Sequence, residues 1–144
     1  MDIAAKFQVI YKDSDLYQLQ IVAWNGDFGG SVQVYEAIGD LEEGAKIIQG
    51  FPSNPSDTRE ITFGSLDPNC AGGGVRMSFH SIGGSVRPYV EIEMVSGHEV
   101  AGTTQTALLS MHIEATAVDS FVLSLRSLET HGSGVATLSG VVQH

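Results

Sequence analysis

Apolar and polar residues alternate in several stretches of the chain, and each such stretch predicts a strand with one buried side. In LYQLQIVAW, Tyr17, Leu19, Ile21 and Ala23 share a face, with Gln18 and Gln20 opposite. VRMSFH sets Val75, Met77 and Phe79 against Arg76, Ser78 and His80, and VEIEM sets Val90, Ile92 and Met94 against Glu91 and Glu93. MHIEA repeats the pattern, with Met111, Ile113 and Ala115 inside and His112 and Glu114 outside. Polar residues confined to one face indicate antiparallel sheet, because parallel strands covered on both sides read as unbroken apolar runs.

Two segments change to helical spacing. In the first, Leu41, Ala45 and Ile48 form a stripe, Asp40 stands where an N-cap would, and Glu43 three residues on completes a capping box. Gly50 and Pro52 end this helix, with Phe51 placed to pack back on it. In the second, Val118, Phe121, Val122, Leu125 and Leu128 recur on one face, Thr116 is the expected cap, and THGSG closes the helix. Gly44 inside the first helix costs about 1 kcal/mol relative to alanine, which points to a strand running close beneath it.

The expected architecture is α+β: an antiparallel sheet of six to seven strands, two helices packed on its apolar face and the other face wet. The chain reads as one domain over residues 1–144, with halves at 1–52 and 73–131 that carry a βββα pseudo-repeat. Residues 132–144 form a C-terminal tail or an edge strand. Residues 51–60, 65–74 and 96–105 read as loops, the first around a short strand at 59–63. A two-residue turn at Gly83-Gly84 would set Arg76 opposite Glu91 and Ser78 opposite Tyr89.

Composition narrows the chemistry. With 144 residues, 42% of them hydrophobic, the chain can bury roughly 70% of its unfolded surface in one core. No apolar run approaches the ~20 residues of a bilayer span, and Asp2 stands where a secretory leader carries basic residues, so the chain reads as starting at Met1. Cys70 is the only cysteine, which excludes an intrachain disulfide and a cysteine zinc cage and fits a cytoplasmic protein. Seven Lys and Arg against seventeen Asp and Glu give a net charge of -10. Such a field repels nucleic acid and anionic membranes and favours a basic protein partner.

Short motifs add little. Asp27-Phe28-Gly29 matches a magnesium-binding triplet of kinases, but the other kinase parts are missing, and Asn25-Gly26 reads as a tight hairpin turn bracketed by Trp24 and Phe28. CAGGGVR resembles a phosphate nest without the Lys-Ser/Thr of a P-loop, and it leads into a strand. Asn54-Pro55-Ser56 has proline at the position that blocks glycosylation. His80, Glu91, Glu93, His112 and Glu114 all project from the expected polar sheet face and form the candidate binding set. His112-x-Glu114 aims two potential metal ligands the same way, and a lone Cys70 near His80 or His98 is a candidate nucleophile.

Between Phe28 and Pro52 the landmarks run F-x-G, Tyr35, Asp40-Leu41 and Phe51-Pro52. This spacing is similar to small, largely uncharacterised bacterial families of acidic α+β proteins, some of them resembling the immunity proteins found beside polymorphic toxins. The resemblance implies a cytoplasmic bacterial protein that binds another protein, and it brings no catalytic residues and no cofactor. The expected function is therefore non-enzymatic binding of a basic partner. The alternatives are a small metal-binding or hydrolytic domain built on His80, His112 and Glu114, and a homo-oligomer formed through the tail strand at residues 135–143.

Overall fold

The expected alternation becomes eight strands in the computed structural model, which describes residues 1–67, 69, 72–81 and 87–142. In chain order they are β1 (Ala4–Lys12), β2 (Leu16–Trp24), β3 (Gly29–Ala37), helix α1 (Asp40–Ile48), β4 (Thr58–Gly64), β5 (Gly74–His80), β6 (Tyr89–Val100), β7 (Thr103–His112), helix α2 (Ala115–His131) and β8 (Val135–Ser139). They form two antiparallel four-stranded sheets, β3-β2-β1-β8 and β4-β5-β6-β7, and not one sheet of six to seven strands. The correction has a physical basis. Seven strands about 4.8 Å apart span over 30 Å, whereas two helices about 10 Å wide cover only two-thirds of that, so the remaining apolar surface needs a second sheet.

The same element order, β-β-β-α-β, is run through twice. In each sheet the strands lie third, second, first, and the last place is taken by the final strand of the other half: β8 beside β1, and β4 beside β5. Each half therefore completes the other's sheet. Both inner faces and both helices feed one core, centred on Phe7 of β1, whose ring meets Phe63 of β4 edge-on at 4.9 Å and Phe121 of α2 at 5.3 Å. A second aromatic pair, Phe51 and Phe79 at 5.6 Å, seats the end of α1 on the second sheet. Between the helices, Arg126 Nε donates to Glu42 at 3.1 Å, and the hydroxyl of fully buried Tyr17 donates to the Glu129 carbonyl at 3.0 Å.

The ends of the elements differ from expectation. Asp40 is the first residue of α1 rather than its cap; Gly39, at φ +100°, takes that place, and Asp40 Oδ2 accepts the Ala37 N–H at 3.0 Å. The Glu43 N–H makes a backbone bond to Gly39 O at 3.1 Å, so no capping box forms. Glu114, not Thr116, is the N-cap of α2, which starts at Ala115 and leaves that residue exposed where the alternation had buried it. The turn after β2 spans Asn25 to Phe28, with Asn25 Oδ1 accepting the Asp27 and Phe28 N–H groups at 2.9 and 2.8 Å. Only Gly26 there has positive φ, and Phe28 is 70% exposed in the turn instead of resuming the strand.

Arg76 pairs with Glu93 and Ser78 with Glu91, two residues away from the expected register. The connection runs through residues 81–88, longer than a two-residue turn, and a shift of two keeps every side chain on its face. The Gly83-Gly84 turn itself lies outside the described residues, as do Cys70 and its proposed nucleophilic role. Gly44 does sit over a strand: a Cβ there would come 3.3 Å from Phe63 Cζ. Gly44→Leu is accordingly expected to destabilise the fold by about 1–3 kcal/mol despite its better helix propensity, measured as a lower urea midpoint at unchanged m-value.

Candidate functional site

The antiparallel register of the second sheet sorts its outer face into rows. One row runs Thr58, His80, Tyr89, His112; the next Glu60, Ser78, Glu91, Ser110; the third Thr62, Arg76, Glu93, Leu108. Four of the five expected residues, His80, Glu91, Glu93 and His112, thus share this face. Glu114 does not join them, because the strand ends at His112 and Glu114 turns away as the exposed cap of α2.

Three rings line the first row. His80 stacks on Tyr89 at 4.9 Å and 18° between planes, and Tyr89 meets His112 edge-on at 6.4 Å. His80 Nε2 lies 3.1 Å from Glu91 Oε1 but without hydrogen-bond geometry. It and His112 Nδ1 are buried ring nitrogens with no hydrogen-bond partner in the chain. Glu93 is committed to the Arg76 guanidinium. Glu60 has no ion-pair partner among the described residues, and it stands two strands, about 10 Å, from Glu91 across Ser78. Thr58, Arg59, Glu60, Ser78, His80 and Glu91 edge a hollow of about 390 Å³.

Tyr89 separates the two imidazoles, and among the described residues no three His, Cys, Asp or Glu side chains are grouped closely enough to hold a metal ion. The convergence of His80, His112 and Glu114 that the metal-binding or hydrolytic alternative requires is therefore not formed. What the face presents is an aromatic strip beside the Glu60 and Glu91 carboxylates, neither of them paired with a lysine or arginine among the described residues. Five of the chain's seven Lys and Arg are paired elsewhere in the fold or on this face, Lys6 with Asp2, Lys46 with Glu43, Arg59 with Asp57, Arg76 with Glu93 and Arg126 with Glu42.

Two further features were not foreseen as sites. The outer face of the first sheet carries a hydrogen-bonded ladder of glutamines under a hollow of about 390 Å³. At the end of β3, Glu36 accepts the Gly64 N–H and lies beside Asp40. Burial, and then the Asp40 carboxylate, push its carboxyl up to about 8, against the opposing effect of the Gly64 N–H.

No protein-family model, curated protein or solved structure matches the chain. Among the described residues no helix is long and apolar enough to cross a membrane.

Proposed function

We propose that the chain is a non-enzymatic binding module whose second sheet docks a basic protein partner on its outer face. The observation that carries this reading is the half-buried ring row of His80, Tyr89 and His112 on the outer face, with Glu60 beside it lacking an ion-pair partner among the described residues. Aromatic rings at the centre of a patch, rimmed by charge, are the composition of a protein interface. The carboxylates of Glu60 and Glu91, neither of them paired with a lysine or arginine among the described residues, then select for lysine or arginine on the partner and speed its approach. An immunity-like role, with a basic toxin as the partner, is the particular case that the spacing between Phe28 and Pro52 resembles.

The test is affinity capture from the native host, followed by titration calorimetry of the purified partner against chains altered on this face. Glu60→Gln with Glu91→Gln is expected to weaken binding by about tenfold or more and to flatten its dependence on salt. Asp119→Asn on α2 should leave binding unchanged. A partner of acidic or neutral charge, salt-insensitive binding, or an equal loss in the α2 variant would each remove the reading.

A further inference from the structure

The hollow on the first sheet lies where that sheet's β3 edge meets the start of β5 and the irregular middle of β6. Gln18 and Gln20 of β2 and Gln33 and Ser31 of β3 form its floor. They are linked head to tail. Gln18 Nε2 donates to Gln33 Oε1 at 3.0 Å, Gln33 Nε2 donates to Gln20 Oε1 at 3.1 Å, and Gln20 Nε2 donates to Ser31 Oγ. This chain fixes the orientation of three planar amides. Each amide keeps an N–H and a carbonyl lone pair unused by this chain of bonds, so the floor offers a row of donors and acceptors.

The wall is built from main chain. The Gly73 N–H donates to Gln33 O at 3.0 Å, extending the sheet beyond its last strand. A Cβ on Gly72 would come 2.8 Å from the Tyr35 ring, one on Gly73 would come 2.7 Å from Val95 O, and one on Gly97 would come 2.5 Å from Gly72 C. Three glycines thus keep side chains out of a tight crossing of three backbone segments. The β6 ladder breaks between Val95 and Glu99, and this bulge brings Ser96 and His98 to the rim. Bulges are concentrated beside binding sites because they re-aim backbone and side chains without ending the strand.

Among the described residues the lining holds no carboxylate, ammonium or guanidinium, although the chain carries 24 such residues, seven basic and seventeen acidic. Among the described residues a phosphate or a carboxylate ligand would find no lysine or arginine there, and a basic ligand no carboxylate. Amides that present adjacent donor and acceptor atoms match vicinal hydroxyl groups, and the exposed Tyr35 ring at the side offers a flat apolar surface for the C–H face of a pyranose.

We infer that this hollow binds a neutral carbohydrate, one sugar ring or the end of a neutral glycan. It lies on the opposite sheet from the proposed protein-docking face, so the two can be occupied together and tested apart.

The experiment is titration of the ¹⁵N-labelled full chain with glucose, galactose, mannose, N-acetylglucosamine and maltose, followed through the side-chain amide signals in proton–nitrogen correlation spectra. Gln49, which lies outside the hollow and is held by Arg126, is the internal control. At least one neutral sugar is expected to produce saturable shifts of Gln18, Gln20 and Gln33, with a millimolar Kd and no shift of Gln49. Glucose 6-phosphate should bind more weakly than glucose, because the acidic chain repels it and the described lining offers no lysine or arginine. Gln33→Ala should weaken the responsive sugar by about tenfold while leaving the Gln49 signal in place. The proposal is overturned if no sugar in the set gives saturable shifts up to about 100 mM, a concentration that would reveal even very weak sites. Equal shifts at Gln49, or saturation of the same amides by triglycine and not by any sugar, overturn it as well.

Discussion

Phe7→Ala is expected to lower the unfolding free energy by about 3–5 kcal/mol and the thermal midpoint by roughly 10–20 °C. Phe7 is fully buried in β1, and its ring is the point where three layers touch: its own sheet, Phe63 from the other sheet and Phe121 from α2. Removing the ring forfeits its transfer energy and leaves a cavity whose walls belong to elements that cannot close on one another, since each is held by its own ladder or helix. Two edge-to-face contacts go with it, each contributing about 0.5–1.5 kcal/mol beyond burial. A domain of this kind has only about 5–15 kcal/mol in total, so the loss is a large share. The control is Phe28→Ala in the β2–β3 turn, where the ring is 70% exposed and the expected change is within about 0.5 kcal/mol. Urea denaturation of both variants checks the claim; a loss below about 1 kcal/mol for Phe7→Ala would mean that the two sheets and α2 do not share one core.

That junction was only half legible in the sequence. Alternation in LYQLQIVAW and VRMSFH identifies which residues face inward, and all of Tyr17, Leu19, Ile21, Ala23, Val75, Met77 and Phe79 are buried. The helical stripe from Val118 to Leu128 is equally plain, because five apolar positions recurring on one face of a 17-residue helix leave little freedom about which face packs. What alternation does not encode is the neighbour of a strand. Nothing local in TREITF says that β4 leaves its own half to pair with β5, or that VATLS crosses back to β1, since both choices bury the same side chains. The helix caps were misplaced for a related reason. Asp40 and Thr116 have the right chemistry, but cap geometry depends on how the preceding strand delivers the chain, and here Gly39 and Glu114 occupy the bend.

The outer face of the second sheet was readable because His80, Glu91, Glu93 and His112 all come from strands whose inward residues are unmistakable. Their grouping was less so: the true register brings Tyr89 between the imidazoles, and Glu60 enters only through the unforeseen β4–β5 pairing. The glutamine hollow was the least visible feature. Gln18 and Gln20 could be assigned outward, yet the ladder also needs the cross-strand pairing of Gln20 with Gln33. It needs as well a wall formed at the β6 bulge, far along the chain, where residues 96–105 had read simply as a loop.

Glu36→Gln is expected to make the protein more stable at neutral and alkaline pH and to remove part of its pH dependence. Glu36 has an ordinary value of 4.5, and in the folded state burial, then Asp40, raise it to about 8. Below pH 4.5 the folded and unfolded chains both hold the proton, and the group's full contribution to stability is present. As the pH rises from there, the unfolded chain releases its proton while the folded chain keeps it, so stability falls steadily until the folded carboxyl itself ionises near pH 8. Because Glu36 is only partly buried, solvent screening reduces the effect to about 2 kcal/mol or less. Glutamine keeps an oxygen to accept the Gly64 N–H that now bonds Glu36, and supplies an N–H toward Asp40 at every pH. Urea curves for both chains at about pH 5 and about pH 8.5 should therefore diverge, with the glutamine variant losing on the order of 2 kcal/mol less across the interval. All other titrating groups are common to the two chains, so their contributions cancel in the difference. Parallel pH profiles would show that Glu36 ionises as it does in the unfolded chain, and that the contact between β3 and the end of β4 is open to water.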